Sequence, residues 1–236
     1  MNGLITLVGS GEYLPVMEAV DRHLLESLNL NGRKPRVVCL PTAAGQEGDA
    51  SVNRWSNMGV DHFTKLGAEA NALHIIDRGS ANDPHWEPFL ESADLIYFSG
   101  GDPGYLHYTM NGSRAWKAAQ RAWERGAVYA GCSAGAMILA KQMPRFRLAL
   151  TQEGFGIVPA TFIMPHFDAM PIIFKPLVLA LKGKLKNGER MIGVDEDTAL
   201  IGRLGGEWKV MGQGRAHVFT RKEERSYTNG QTLKLD

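Results

Sequence analysis

Cysteine is scarce: the chain of 236 residues holds two, Cys39 and Cys132, each in an apolar stretch. Two such residues supply neither a disulfide framework nor a spaced set of metal ligands, so no metal site is expected, and a reduced, cytoplasmic setting is. Long hydrophobic runs are missing too. Nothing approaches the roughly 18 apolar residues of a membrane span, and the opening Met1-Asn2-Gly3-Leu4-Ile5-Thr6-Leu7-Val8-Gly9 has no positive leader, so it reads as a first strand and not as a signal. Neither sign of charge prevails. Lys and Arg number 26 against 25 Asp and Glu, a formal net charge of +1, and the basic residues are scattered, which excludes the concentrated positive face that nucleic acid requires. Repeats, low-complexity tracts and Pro/Ser-rich linkers are absent, and 44% hydrophobic content is enough for one large core, so a single domain over 1–236 is expected.

What the chain does have is an alternation of short apolar runs with longer amphipathic stretches. The pattern predicts strands at Leu4–Val8, Arg36–Leu40, Ala72–Ile76, Leu95–Ser99 and Ala127–Gly131. Helices are predicted at Pro15–Leu28, Val52–Leu66 and Tyr105–Arg125, the last broken or bent near Asn111-Gly112 and stopped by Gly126. This is the signature of a doubly wound α/β fold, a mostly parallel sheet with helices on both faces. Beyond Ala140 the pattern loosens: Met143–Gly156 reads as strand or loop and Ile172–Leu181 as a short helix. Ile192–Val194, Ala199–Arg203, Trp208–Gly212 and Ala216–Thr220 read as short strands, antiparallel additions to the same domain.

In such sheets ligands bind beyond the carboxyl ends of the strands. Gly9-Ser10-Gly11-Glu12, Pro41-Thr42-Ala43, Gly100-Gly101-Asp102 and Ser133 follow the predicted strands and should line one cleft. The first of these is not a dinucleotide fingerprint, because G-x-G-x-x-G needs glycine where Leu14 stands. The last is the most telling. Gly131-Cys132-Ser133-Ala134-Gly135 fits G-x-S-x-G between an apolar strand and an apolar helix, a context that pushes the Ser133 hydroxyl out at the sheet edge and aims unpaired helix N–H groups at any oxyanion formed there. Gly100-Gly101, a backbone free of side chains, suits the same purpose.

A nucleophilic serine needs a base and an acid to orient it. Of seven histidines, His23, His62 and His107 fall in helical stretches and His74 inside a strand, whereas His166 follows the apolar segment Ile157–Met164 downstream of the nucleophile. For the acid, Asp195-Glu196-Asp197 lies between two apolar runs. On an extended segment Glu196 points opposite to its neighbours and reaches inward while they stay solvated; Asp168, two residues from His166, is the rival.

Taken together these segments resemble the aspartyl dipeptidase and cyanophycinase family of serine peptidases. The likeness is carried by Gly9-Ser10-Gly11, Pro41-Thr42-Ala43, Ala93 to Asp102, Gly131 to Ala136, His166-Phe167 and Gly193 to Ala199. It implies a flavodoxin-like fold similar to class I glutamine amidotransferases, with Ser133 as nucleophile, His166 as base and, as in the cyanophycinase branch, Glu196 as acid. The dipeptidase branch draws its acid from shortly after the nucleophile, where Lys141–Leu150 holds no carboxylate. The resemblance also implies that the N–H groups of Gly101 and Ala134 form the oxyanion hole. The substrate-reading positions depart from it. Pro103 stands where cyanophycinases carry Gln after Gly-Gly-Asp, Met164-Pro165 where they place Asp-Gln, and Asp168-Ala169-Met170-Pro171 where they have arginines. An arginine there would pair with a substrate carboxylate, so its loss removes a selective contact. Asp102, Pro103, Asp168 and Arg145 are the remaining candidates for substrate contact, with Arg147 beside Arg145 as a further anion-binding group.

The function expected is hydrolysis of small peptides or isopeptides, as a dipeptidase, exopeptidase or cyanophycinase-like enzyme, through a Ser-His-Glu triad and an acyl-enzyme that needs no cofactor. Two alternatives accompany it: glutamine-amidotransferase-like chemistry with Cys132 as nucleophile, and a catalytically silent cleft that holds a small ligand. The expected partner is a small peptide, neither nucleic acid nor a membrane; a homodimer is the one association with another protein entertained.

Overall fold

The computed structural model describes residues 2–145 and 150–235. The centre of the fold is an eight-stranded sheet. Its parallel half contains β1 (Ile5–Val8), β2 (Arg36–Leu40), β3 (Glu69–Ala72), β4 (Leu95–Phe98) and β5 (Val128–Cys132), side by side in the order β1-β5-β4-β2-β3. All residues of β1, β4 and β5 are buried, as expected of strands covered on both faces. Neighbouring residues accordingly enter different cores: Leu7 and Phe98 pack on one face, Val8 and Tyr97 on the other.

The covering helices are α1 (Glu18–Glu26), α2 (Asp49–Lys65), α3 (Glu87–Ser92), α4 (Pro103–Met110) and α5 (Arg114–Arg125). The break expected near Asn111-Gly112 within Tyr105–Arg125 separates α4 from α5, and local capping explains it. Asp102 caps α4 by accepting the Tyr105 N–H at 2.8 Å, and Ser113 caps α5 by accepting that of Trp116 at 3.0 Å. Helix α5 buries Ala115, Ala118, Ala119 and Ala122, a spacing that puts small side chains on one stripe against the sheet, and ends at Gly126 in the left-handed region.

One strand lies upstream of its predicted position. The apolar run Ala72–Ile76 predicts a strand there, but β3 pairs with β2 from Glu69 to Ala72 and the chain leaves the sheet afterwards. The left-handed Gly67 ends the α2 segment so abruptly that the Glu69 N–H already bonds to the Pro35 carbonyl at 2.8 Å. Leu73 and Ile75 still fill the core from the departing segment, and His74 between them is exposed, not buried in a strand.

Beyond β5 come a single helical turn, α6 (Ala134–Met137), the hairpin strands β6 (Gln142–Arg145) and β7 (Leu150–Glu153), then β8 (Phe162–Met164), α7 (Lys175–Lys184) and β9 (Met191–Val194). The chain closes with β10 (Thr198–Gly202), β11 (Glu207–Gly212), β12 (Arg215–Phe219), β13 (Glu224–Thr228) and β14 (Thr232–Lys234). β10 joins the main sheet antiparallel to β1, followed by β11 and β14, so the fold is a mixed α/β sheet with antiparallel additions. Strands β13-β12-β9-β8 form a second sheet in which β8 and β9 are parallel, and that pair governs the site.

Candidate active site

Strand β5 lies between β1 and β4, so Ser133, the residue after it, stands at the middle of the sheet's carboxyl edge. Its N–H bonds to the Val8 carbonyl at 3.0 Å, and its own carbonyl accepts the N–H groups of Ala136 and Met137, which starts α6. The turn is sharp. Ser133 has φ 49° and ψ −107°, a conformation that costs a non-glycine residue about 1–3 kcal/mol and holds only because its surroundings enforce it. The flanking glycines make the bend sterically feasible. A Cβ on Gly131 would stand 2.3 Å from the Gly135 carbonyl oxygen. Since α6 is one turn long, its contribution to an anion is the local N–H groups and not an extended dipole.

The base and the acid arrive on the parallel pair β8 and β9, where Met164 lies beside Gly193. Two residues past that register the chain reaches His166, and three past it Glu196. The Phe167 N–H bonds to the Val194 carbonyl at 3.1 Å and keeps the two ends together. His166 Nε2 lies 3.1 Å from Ser133 Oγ, and His166 Nδ1 lies 2.8 Å from Glu196 Oε1. Three side chains from residues 133, 166 and 196 thus form one hydrogen-bonded line.

Gly101, at φ 142°, packs so closely on the Ala43 peptide that a Cβ would come within 2.5 Å of it. The Asp102 N–H bonds to the Ala43 carbonyl at 2.9 Å, while among the described residues neither the Gly101 nor the Ala134 N–H has a partner. Direct contacts tie the segments predicted to border one cleft: Glu12 accepts the Gly100 N–H and the thiol of Cys132, the residue before Ser133, while the Asp102 N–H reaches Ala43.

Other sequence candidates have different surroundings. Asp102 and Pro103 are the cap and first residue of α4. Asp168 accepts the Glu196 N–H at 2.8 Å through Oδ1, so it braces the backbone of the acid and does not touch the imidazole. Arg145 ends β6 with its side chain outside the description, and Arg147 lies outside the described residues. The expectation that both neighbours of Glu196 stay solvated fails for Asp195. It is 5% exposed, accepts the Arg215 N–H at 2.9 Å and pairs with His217 Nε2 at 3.0 Å, because β12 runs antiparallel beside β9 and brings Arg215 and His217 next to it. His62, read as an ordinary helical residue, is buried against Asp21 at 2.8 Å.

Cys132 is fully buried, and its thiol donates to Glu12 Oε2 at 2.8 Å. Burial, and then the Glu12 charge, pushes the thiol well above its ordinary range, the opposite of what a thiolate nucleophile needs. Glu12 itself, 7% exposed, was not singled out from the sequence. Its partners lie 88 and 120 residues away, a proximity that only the folded sheet creates. Among the described residues no group of three or more His, Cys, Asp or Glu is placed to hold a metal, and no helix is long and apolar enough to cross a membrane.

Residues 5–205 match the model of peptidase family S51. The chain belongs to peptidase family S51. S51 relatives include the cyanophycinase of Synechococcus elongatus, 26% identical over 180 residues, which cover 72% of this chain and 55% of that protein. The cyanophycinase of Geminocystis herdmanii is 25% identical over 182 residues, 72% of this chain and 65% of its own. The S51 chain therefore spans little more than half to two thirds of these relatives. A solved structure of a peptidase from an acI-B1 Actinobacterium is 36% identical and superposes with a TM-score of 0.88, covering 99% of this chain and 97% of its own.

Proposed function

We propose that this S51 member is a serine peptidase that hydrolyses small peptides or isopeptides through Ser133, His166 and Glu196. The observation that carries the reading is the unbroken line from Glu196 to His166 to a serine held at a positive-φ turn, beside two N–H groups that have no partner among the described residues. With its Nδ1–H given to Glu196, His166 presents the Nε2 lone pair to the Ser133 hydroxyl. Ser133 Oγ bonds to the substrate carbonyl carbon as its proton passes to Nε2, and the carbonyl oxygen gains negative charge between the Gly101 and Ala134 N–H groups. Collapse of this intermediate breaks the C–N bond, and Nε2 returns the proton to the leaving amine. Water, activated by the same imidazole, then releases the acyl group and restores Ser133. No step calls on a cofactor.

The substrate class accords with relatives named cyanophycinase, but selectivity for acidic or arginyl substrates is not part of the proposal. Pro103, Met164-Pro165 and Asp168-Ala169-Met170-Pro171 lack the glutamine and arginine side chains that would read such groups. Intact-mass labelling with a fluorophosphonate probe tests the mechanism. One adduct per chain is expected on the wild type, none on Ser133→Ala, and slow labelling on His166→Ala and Glu196→Ala, followed by turnover within a dipeptide panel. A folded wild type that takes up no probe would overturn the reading.

A further inference from the structure

We propose that Glu12 is a positioning residue for the oxyanion site: its carboxylate ties the Gly100–Gly101 loop to the end of β5 and so fixes the spacing between the Gly101 and Ala134 N–H groups. The inference rests on the peptidase reading above and goes beyond it, since Glu12 lies outside the Ser-His-Glu line.

The two halves of the oxyanion site come from different strands. Gly101 follows β4 and Ala134 follows β5, and only side-by-side strand pairing from Leu95–Val128 to Phe98–Gly131 relates them. Beyond that ladder the two backbones diverge into separate helices. Glu12 bridges the gap just past its end. Oε1 accepts the Gly100 N–H at 2.9 Å, and Oε2 accepts the Cys132 thiol at 2.8 Å. The contact is close: a Cβ on Gly100 would stand 3.0 Å from Glu12 Oε1 and 3.3 Å from Ser133 Cβ.

Two further points favour positioning over general stabilisation. A carboxylate that is 7% exposed is costly unless paired, yet among the described residues no Lys, Arg or His forms a salt bridge with Glu12. Its hydrogen bonds instead end on Gly100, the residue before Gly101, and on Cys132, two residues before Ala134. Moreover, a negative group beside a developing negative oxygen opposes the reaction if it acts by charge. What it contributes is acceptor geometry: by engaging the Gly100 N–H it sets the orientation of the next peptide, whose N–H is left for substrate. The thiol is a weak donor, so the Gly100 arm carries more of the effect.

The test compares Glu12→Gln, which keeps one acceptor oxygen, with Glu12→Met, which keeps the approximate length but no comparable acceptor. Fluorophosphonate inactivation is measured so that the limiting rate and the half-saturating concentration are resolved, and amide hydrogen exchange is followed at Gly100 and in β4. Glu12→Met is expected to lose about 100-fold in limiting rate, as for loss of one oxyanion donor, with half-saturation within threefold and Gly100 exchange at least tenfold faster while Phe98 is unchanged. Glu12→Gln should stay within fivefold of the wild type. A folded Glu12→Met that reacts at the wild-type rate, or a folded Glu12→Gln that is as slow as expected for methionine, overturns the proposal; the second result also decides the matter if the methionine variant does not fold. A wild type inert to the probe instead overturns the peptidase reading and the oxyanion role with it, whereas a reactive wild type with an equally reactive Glu12→Met removes only the role of Glu12.

Discussion

Replacing Glu196 by glutamine isolates the charge of the proposed acid. The amide oxygen can still accept the His166 Nδ1–H, so the hydrogen bond survives while the carboxylate's stabilisation of a protonated imidazole is lost. At the observed 2.8 Å, Coulomb's law gives about 6 kcal/mol at an effective dielectric of 20 and about 1.5 kcal/mol in bulk water. The side chains of His166 and Glu196 are 43% and 44% exposed, so solvent screening places the value near the lower figure, about 2–3 kcal/mol. That corresponds to a fall of about 30- to 150-fold in the acylation rate. The assay is the rate of fluorophosphonate labelling at pH near 8, with circular dichroism and thermal melting to establish that the variant is folded. Labelling within threefold of the wild type would refute the assignment of Glu196 as the acid. A fall of 10⁴-fold would refute the argument from screening, since it would mean that the pair acts as if sealed from water.

Gly131→Ala should lower the melting temperature by about 6–12 °C, because its Cβ falls 2.3 Å from a backbone oxygen and overpacking of that kind costs about 3 kcal/mol; a melting curve equal to the wild type would refute the steric account. Asp168→Ala leaves the Glu196 N–H without its acceptor and is expected to slow labelling about three- to tenfold, with Asp168→Asn, which retains an oxygen acceptor, close to the wild type; the reverse order would show that Asp168 acts otherwise. Cys132→Ala should retain labelling within tenfold while Ser133→Ala loses it, and the native Cys132 thiol should resist alkylation that proceeds on unfolding. Asp94 gives a pH prediction. Burial opposes its ionisation, but hydrogen bonds from Arg33 and from the Arg36 N–H outweigh burial and lower its pKa. A folded value below the unfolded one stabilises the protein above the ordinary aspartate range and ceases to do so as pH falls through the folded value. Asp94→Asn should therefore lower the melting temperature at pH 7, with the difference shrinking from about pH 4 downward; a constant difference would contradict the sign.

Ser133 is legible in the sequence because its requirements are local. A tight strand-to-helix turn needs glycine at both flanks, and five consecutive residues state that need. The four central strands at Ile5, Arg36, Leu95 and Val128 are legible for a similar reason, since strands buried on both faces must be continuously apolar. The edge strand β3 is not, because half of its side chains face solvent and the apolar run beside it belongs to the segment that leaves the sheet. The expected function drew on a resemblance spread over many segments, and the family match over residues 5–205 bears out its coarse part.

The sequence by itself determined the four central strands, the turn at Ser133 and a near balance of charge. A family resemblance pointed to His166 and Glu196, but only the tertiary structure shows why that histidine and that acid meet the serine. His166 and Glu196 lie 30 residues apart and come together because β8 and β9 are parallel in one register, a pairing that no short stretch of sequence encodes. It also decided that Asp195 is buried beside β12, that Asp168 braces a backbone N–H, and that Glu12 reaches across to Gly100 beyond β4 and to Cys132 at the end of β5. Hydrogen bonds are fixed by distances of about 3 Å, whereas sequence separation says nothing about distance once the chain has turned back on itself.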